Sequence, residues 1–246
     1  MKADPFVQLR LLELQALDSA LYRLAHRRRT LPALADITRL DGLISTRRDD
    51  VALASASVSD LQRELDKAEA DIDQVRTRRV RDEQRLASGA ITQSKQLEDL
   101  SHEVATLKAR QSRLEDAELE VMERLETAQA TLDGLLEDRA RHEADRELAQ
   151  SDRDRERLEI DDETARTAVE RTSVAAEIPA ELLALYDKVR GSEGGVGAGV
   201  IERGRCGACR LDLMQNEVAE YRAAPVDEVL RHECRRIVVR TAESGL

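Results

Sequence analysis

Proline is absent between residues 33 and 178, and this gap constrains the fold more than any other feature of the sequence. Because proline disrupts helix interiors, such a gap favours very long helices. Apolar residues follow a 3-4 spacing at nine of eleven positions from Val51 to Leu86, and at ten of twelve from Leu97 to Leu135. A stripe of this kind, flanked by charged residues, is typical of coiled-coil helices that pack along a seam.

The composition argues against the common globular enzyme folds. The 246 residues include one Phe, three Tyr and no Trp, whereas a compact domain of this size normally fills its core with several large rings. We therefore expect neither a Rossmann enzyme nor a TIM barrel. With 36% charged residues and an apolar content of mostly Leu, Ala, Val and Ile, the chain is typical of long helices.

The segment between the two stripes predicts a tight helical connection. Gly89 can adopt the left-handed conformation that ends one helix, and Thr92 or Ser94 can cap the next. A short connection makes the helices antiparallel neighbours, so we expect a hairpin with its tip near Ile91. By the same register, the segment before Pro32 should lie against about residues 152–175.

Beyond Leu135 the pattern is less regular. The stripe moves by one position, which predicts a stutter in the seam. The shifted positions are Leu136, Ala140, Ala144 and Leu148. The charged run 151–157 that follows has two interpretations, a solvated helix face with local ion pairs or a bend that serves as an interaction site.

Glycine marks the second part of the chain, since seven of the eleven glycines lie between residues 191 and 207. We therefore divide the chain into a helical coiled-coil hairpin, residues 1–177, with a kink near Pro32, and a C-terminal domain, residues 178–246. The predicted fold class is mainly α: a long antiparallel coiled-coil helical hairpin with a small C-terminal zinc-ribbon (α+β) domain. In that domain, a short helix after Pro179 and a strand at 237–239 are expected.

The C-terminal domain contains the metal-site candidate. Cys206 and Cys209 form a Cys-x-x-Cys turn, in which two thiolates lie on one side of a tight knuckle. Zinc requires four such ligands in a tetrahedron. His232 and Cys234 can complete the set, which predicts one structural Zn²⁺. The alternative is an open fourth position that water or Glu233 fills.

Other chemistries for these cysteines are less well supported by the sequence. All three cysteines follow residue 205, so no disulfide framework is present, and without an export signal we expect a cytoplasmic protein. A thioredoxin-like site needs a βαβ unit around the Cys-x-x-Cys pair, and none is predicted. A zinc hydrolase needs a metal position that is open to water and a general base held beside it, and the sequence indicates no such base. We therefore expect no enzyme activity.

Arginine clusters keep nucleic acid open as a binding partner. The net charge is −11, but phosphate binding depends on local basic groups. The basic residues that are candidates for nucleic-acid or partner contacts are Arg76, Arg78, Arg79, Arg81 and Lys95 near the tip, and Arg205, Arg210, Arg235 and Arg236 around the metal site. No aromatic residue lies among them for a base to stack on.

The chain resembles the C4-type zinc-ribbon, coiled-coil proteins of bacteria. The residues that carry this resemblance are Ile178–Leu183 with Tyr186, the glycine-rich stretch, Cys206–Arg210 with Leu211 and Leu213, Cys234–Val238, and the tip segment Ile91–Leu100 followed by His102–Val104. Family members usually have a second Cys-x-x-Cys, where this chain has His-x-Cys. The resemblance implies a zinc ribbon and a nucleic-acid-binding or adaptor role, linked in some relatives to regulatory or secretion-related partners.

These observations predict a non-enzymatic, zinc-binding interaction or adaptor protein that presents a structural zinc ribbon to a protein partner. The alternative is a nucleic-acid-binding protein that uses the arginine clusters at the ribbon and the tip. No apolar run is long enough for a transmembrane helix, so no membrane partner is expected. The coiled coil is compatible with a monomer or a homodimer.

Overall fold

The computed structural model describes residues 1–246. It contains five helices and four short strands. The helices are α1 (Pro5–Arg29), α2 (Pro32–Ala87), α3 (Ser94–Ala176), α4 (Ala180–Ser192) and α5 (Gln215–Ala223), and the strands are β1 (Ala198–Glu202), β2 (Arg205–Cys206), β3 (Leu230–Arg231) and β4 (Ile237–Val239). None of the helices is long and apolar enough to cross a membrane.

Local signals explain where the first helix begins and ends. The Asp4 side chain accepts a hydrogen bond from the backbone N–H of Phe6 at 2.8 Å, and Pro5 lies in the first turn, where proline is tolerated. α1 ends at Arg29, and α2 begins at Pro32. The helical path is therefore interrupted at residues 30–31, next to the proline at which the sequence predicted a kink.

Residues 35–149 form one compact unit, an antiparallel helical hairpin. α2 ends at Ala87 and α3 begins at Ser94, so Ile91 lies in the connection between them. Gly89 has a φ of +68°, the left-handed conformation expected of a residue that ends a helix. Ion pairs link the two helices at intervals from the connection onwards, namely Arg78 with Glu103, Lys108 with Glu83, Arg124 with Glu64, Arg47 with Asp138 and Arg146 with Asp41.

The seam of this hairpin follows the predicted stripes through residue 135, with Leu61, Ile72 and Val121 among the buried side chains, except that Leu97 at the start of the second stripe is exposed. The predicted stutter is wrong. Leu136, Ala140, Ala144 and Leu148 are exposed, whereas Arg139, His142 and Arg146 are half-buried. The heptad spacing therefore continues without a shift. Long polar side chains are tolerated at these positions because their aliphatic stems can cover the seam while their charged ends stay in water.

Residues 1–34 and 150–246 form the second compact unit. Leu24 and Leu31 pack with Ile160 of α3, which confirms that the segment before Pro32 lies against the later part of α3. The run 151–157 is helical without interruption and carries local pairs such as Arg155 with Asp152, as expected of a solvated face.

A four-stranded sheet with the order β2-β1-β4-β3 forms the centre of the C-terminal part. β1 is parallel to β4 and antiparallel to β2, and β3 is antiparallel to β4. Because side chains alternate along a strand, Ile237 and Val239 pack against α1 and α4, while Val238 packs in a second core with Ile201 and Cys206. The second core supports the cysteine site.

The contacts group the chain differently from the predicted division at residue 177. α1 and the end of α3 belong to the same compact unit as the strands. Leu11 and Leu14 of α1 are fully buried in the core that contains Tyr186 of α4 and Ile237 of β4. Which segments fold independently stays a prediction.

Candidate metal centre

The first half of the site is a tight turn at the end of β2. The backbone N–H of Arg210 donates to the carbonyl of Cys206 at 2.7 Å, and the N–H of Gly207 donates to the carbonyl of Val200 at 2.8 Å. A Cβ at position 207 would lie 2.8 Å from that same carbonyl oxygen. Glycine is therefore required between the two cysteines, because any larger residue would force the turn away from β1.

The second half is the turn between β3 and β4. The N–H of Arg235 donates to the carbonyl of His232 at 2.8 Å, and the N–H of His232 donates to the carbonyl of Arg236 at 3.1 Å. Arg235 has a φ of +64°, and Arg210, which follows the first half, has a φ of +65°. Left-handed backbone is costly for a residue with a Cβ, so the surrounding structure holds both turns in this tight form.

The two turns bring the four predicted ligands together. The ligand atoms of Cys206, Cys209, His232 and Cys234 all lie within 4.8 Å of one another. Cys206 and His232 are buried, whereas Cys209 and Cys234 are half-buried, and all three cysteines are free thiols. The cluster could hold one metal ion. Glu233, the sequence alternative for the fourth position, is exposed and is not part of this group.

The donor types restrict which metals fit. Three sulfur atoms and one imidazole nitrogen suit a soft or borderline transition metal, whereas magnesium and calcium prefer oxygen ligands. A thioredoxin-like arrangement is not present. Cys206 lies at the end of a strand, and the next helix begins only at Gln215, so neither thiol lies at a helix N-terminus.

The thiols of the cluster differ in their acidity. Burial raises the pKa of Cys206 to about 12. Partial burial also acts to raise the pKa of Cys209, but hydrogen bonds from the Leu211 backbone and from the Cys206 and Cys234 thiols together lower it. Since a metal binds thiolates, loading the cluster must displace the proton of Cys206, and metal binding is expected to release protons.

Comparison with known proteins identifies the helical part of the chain. Residues 14–194 match the family model described as the CT398-like coiled coil hairpin domain. The chain belongs to this family. The match ends before Cys206, so the cysteine–histidine cluster lies outside the part of the chain that the family model covers.

Three relatives of this CT398-like family member match it over nearly the whole length of both chains. An uncharacterized protein of Mycobacterium tuberculosis strain H37Rv is 40% identical over 243 residues, which are 98% of each chain. A solved structure from Mycobacterium smegmatis is 35% identical, with a TM-score of 0.83, and the match covers 98% of this chain and 100% of that one. CT398 from Chlamydia trachomatis is 18% identical with a TM-score of 0.65, over 96% and 98% of the two chains, and this likeness shows the fold alone.

Several basic residues near the tip of the CT398-like hairpin are paired with acidic residues of their own chain. These pairs are Arg78 with Glu103, Arg79 with Glu83, and Arg81 with Asp82. Arg76 and Lys95 make no side-chain hydrogen bond or ion pair. The tip therefore offers fewer unpaired cations than its sequence suggests.

Some of the basic residues around the cluster are likewise bound to groups of their own chain, and others are not. Arg205 pairs with Asp212 at 2.9 Å, and Arg236 donates hydrogen bonds to the backbone carbonyls of Val196 and Glu193 at 3.1 and 2.7 Å. Arg236 therefore holds the start of the sheet. Arg210 and Arg235 are exposed, and their side chains make no hydrogen bond or ion pair.

Two groups that matter to the site were missed by sequence reasoning. Gln15 of α1 accepts a hydrogen bond from the backbone N–H of Gly197 at 2.6 Å, just before β1. Glu217 of α5 is buried next to His232. For Glu217 a weak signal exists, because a Glu at the third helical position is half of a capping box, but Met214 replaces the usual Ser or Thr. For Gln15 no local signal exists.

Proposed function

We propose that this protein binds one structural zinc ion through Cys206, Cys209, His232 and Cys234, and that it acts as a non-enzymatic adaptor for a protein partner. The observation that carries the proposal is the convergence of the four ligand atoms within 4.8 Å. Three thiolates and one imidazole are an established structural zinc set. No oxygen ligand is needed to complete the tetrahedron.

A structural role for the zinc is supported by the small size of the core beneath the cluster. The strands of the C-terminal sheet have five, two, two and three residues. Such short strands bury little apolar area, and in small metal domains the binding free energy of the metal supplies much of the folding free energy. Zinc is therefore expected to hold the two turns together.

A non-enzymatic role is supported by the number of donors. Catalytic zinc sites generally use three protein ligands and leave one position for water or substrate. Here the protein offers four, and a closed site has no position at which a substrate could be polarised. The family match names no enzyme.

A protein partner at the ribbon is supported by two exposed apolar side chains close to the first turn in sequence. Leu211 is 64% exposed and Met214 is 54% exposed. Methionine and arginine are enriched at protein contact surfaces, and exposed apolar side chains contribute to such a contact and not to phosphate binding. We name Leu211 and Met214 the ribbon apolar pair.

Metal analysis of the purified full chain tests the first part of the proposal. We expect one zinc per chain, and a large loss of affinity in His232→Ala, measured by competition with a chromophoric chelator. His102→Ala is the matched control, because His102 is exposed on α3. A wild-type protein without a bound transition metal, or unchanged affinity in His232→Ala, would contradict the proposal.

Photocrosslinking in the native host tests the second part. A crosslinking amino acid at position 211 should capture a specific protein, and one at Val169 of α3, which is at least as exposed, should not. The captured protein is then purified, and its affinity for wild type and for Leu211→Asp is compared. Equal affinity for the two would exclude the ribbon apolar pair as the contact.

Nucleic acid is the second candidate partner, because the side chains of Arg76, Lys95, Arg210 and Arg235 make no side-chain hydrogen bond or ion pair. Binding through phosphates falls steeply with salt. A complex that survives nuclease and 0.3 M salt, where the screening length is roughly 6 Å, favours a protein partner. A complex lost under both treatments, and weakened in Arg210→Ala, favours nucleic acid.

A further inference from the structure

Glu217 is a buried carboxylate on α5 that faces the candidate metal ligand His232. Its Oε2 atom lies 3.6 Å from Nε2 of His232, and the side chains are only 8% and 4% exposed. A buried carboxylate is costly unless it receives hydrogen bonds. The position of Glu217 therefore requires an explanation beyond its role in the helix.

Two donors fix the orientation of this carboxylate. The backbone N–H of Met214 donates to Oε2 at 3.0 Å, and the hydroxyl of Tyr221 lies 3.2 Å from Oε1. The same hydroxyl lies 3.0 Å from the carbonyl of Arg231, the residue before His232, so its single hydrogen is shared between this carbonyl and the carboxylate. The carboxylate is thus held between the first turn of α5 and the end of β3, with one side directed at the imidazole.

The opposite edge of the imidazole faces the thiols. The Nδ1 atom of His232 accepts a hydrogen bond from the backbone N–H of Cys234 at 3.3 Å and lies 3.5 Å from Sγ of Cys209. A nitrogen that accepts from a backbone N–H carries its lone pair and not a proton. In a neutral ring the proton is then on Nε2, on the side of Glu217.

We propose that Glu217 is a positioning residue for the metal site: on metal binding its Oε2, now 3.6 Å from Nε2 of His232, accepts the Nε2–H and holds the tautomer in which Nδ1 carries the lone pair. The metal then takes this lone pair in place of the Cys234 N–H. This proposal rests on the proposed metal-binding function. A carboxylate behind a ligating histidine orients the ring and raises the basicity of the ligating nitrogen. No ligand role is assigned to Glu217 itself.

The pairing is specific to a histidine at this position. A cysteine at position 232 has no imidazole ring and therefore no second nitrogen with a proton. A carboxylate behind it would have no N–H to accept. The need for Glu217 is therefore tied to His232 and not to the fold of the ribbon. This dependence separates the positioning role from the contribution of Glu217 to the first turn of α5.

A double-mutant cycle on zinc affinity in the full chain tests this role. We expect Glu217→Ala to lower the affinity about 10- to 100-fold. In the His232→Cys background, the same Glu217→Ala change should lower it less than about threefold, because only the lost helix cap remains. Glu217→Gln should retain most of the affinity, since its amide oxygen can still accept the Nε2–H.

The tautomer itself gives a second measurement. Long-range ¹H–¹⁵N spectra of the zinc-loaded wild type should show a protonated Nε2 and a metal-bound Nδ1 for His232, with His26, His102 and His142 as internal references. The metal-free protein should show the same protonated Nε2. A metal-bound Nε2 would overturn the proposal.

The outcomes distinguish this inference from the proposed function. An equal loss of affinity for Glu217→Ala in the two backgrounds would overturn the positioning role and leave the metal site intact. A wild-type chain that binds no zinc would overturn the proposed function and the positioning role with it.

Discussion

Asp18 of α1 and Arg171 of α3 are joined by two hydrogen bonds across 153 residues of sequence. Nε of Arg171 donates to Oδ1 at 2.7 Å, and a terminal nitrogen donates to Oδ2 at 3.3 Å. Arg190 of α4 donates to the same Oδ1 at 2.7 Å, and the hydroxyl of Tyr186 donates to Oδ2 at 2.8 Å. One buried carboxylate thus connects three helices.

Asp18→Ala is expected to lower strongly the unfolding free energy of the compact unit formed by residues 1–34 and 150–246. The substitution removes the shortest acceptor of two guanidinium groups and of a buried hydroxyl, which keep only the more distant Asp187 and Gln15 oxygens. Breaking a buried ion pair of this kind costs about 3 kcal/mol or more. Urea unfolding followed by circular dichroism measures the change. Asp152→Ala, whose partner Arg155 is exposed, is the control and should cost less than about 1 kcal/mol. Equal effects would mean that the Asp18 network adds no stability.

Alkaline pH is expected to unfold the same region. Burial, together with the hydrogen bond to Asp18, raises the pKa of Tyr186. Because the folded pKa lies above the unfolded value of about 10, this stabilising term is complete below pH 10. It is lost above pH 10, at about 1.4 kcal/mol per pH unit and per tyrosine. Burial also raises the pKa of Tyr221, so both tyrosines contribute.

The measurement compares the slope of unfolding free energy against pH above pH 10 in wild type and in Tyr186→Phe. We expect the slope to be less steep in the variant by about 1.4 kcal/mol per pH unit, which is the contribution of one tyrosine. The variant is also less stable at neutral pH, because the hydroxyl lies in contact with both Asp18 and Gln15, so the slopes and not the absolute values decide. Identical slopes would count against a buried, neutral Tyr186.

Removal of the proposed zinc ion is expected to loosen one face of the sheet more than the other. The core of Ile201, Leu230 and Val238 lies with the cysteines, whereas Ile237 and Val239 pack against α1 and α4. Hydrogen exchange after chelation should therefore rise in 200–236 and stay low in α1 and in residues 35–149. Increased exchange throughout residues 35–149 would contradict this expectation.

Glycine at position 199 is expected to be essential for the cluster. A Cβ there would lie 2.5 Å from the backbone nitrogen of Ala208, inside the first turn. Gly199→Ala should lower the unfolding free energy by about 1–3 kcal/mol and weaken zinc binding, measured by chelator competition. Gly191→Ala in α4 is the matched control, since its Cβ meets no atom within 4 Å, and it should stabilise the helix slightly. If both variants behave alike, the close approach at Gly199 is tolerated.

Buried and exposed leucines of the hairpin are expected to contribute very differently to its stability. Leu107 is buried in the hairpin, and Leu148 is 66% exposed. Leu107→Ala should cost about 2–5 kcal/mol, and Leu148→Ala less than about 0.5 kcal/mol. Both are measured by thermal and urea unfolding, with sedimentation to report the oligomeric state. A large cost at Leu148 would indicate that a second chain covers it.

Local patterns predicted the long helices, their connection and the four residues that converge in the candidate metal cluster, whereas α5, β2 and β3 were not predicted. The heptad spacing from Val51 to Leu135 reflects a helix period that any packed helix must obey, and Gly89 marks the connection by its own conformational freedom. The Cys-x-x-Cys turn is likewise a local geometry. These features depend on neighbours a few residues apart, so the sequence alone determined them.

The tertiary structure decided three relationships that no local pattern contains. The register of α2 against α3 places Arg139 and Arg146 at half-buried positions of the seam and leaves Leu136 and Leu148 exposed. The packing of α1 on α3 and α4 turns Asp18 from a surface residue into a buried acceptor. The docking of α5 on β3 places Glu217 behind His232. All three depend on packing between segments that are distant in sequence. Asp18 shows the physical reason most directly: its carboxylate can be buried because Arg171 and Arg190 donate hydrogen bonds to it, and hydrophobic periodicity does not record such partners.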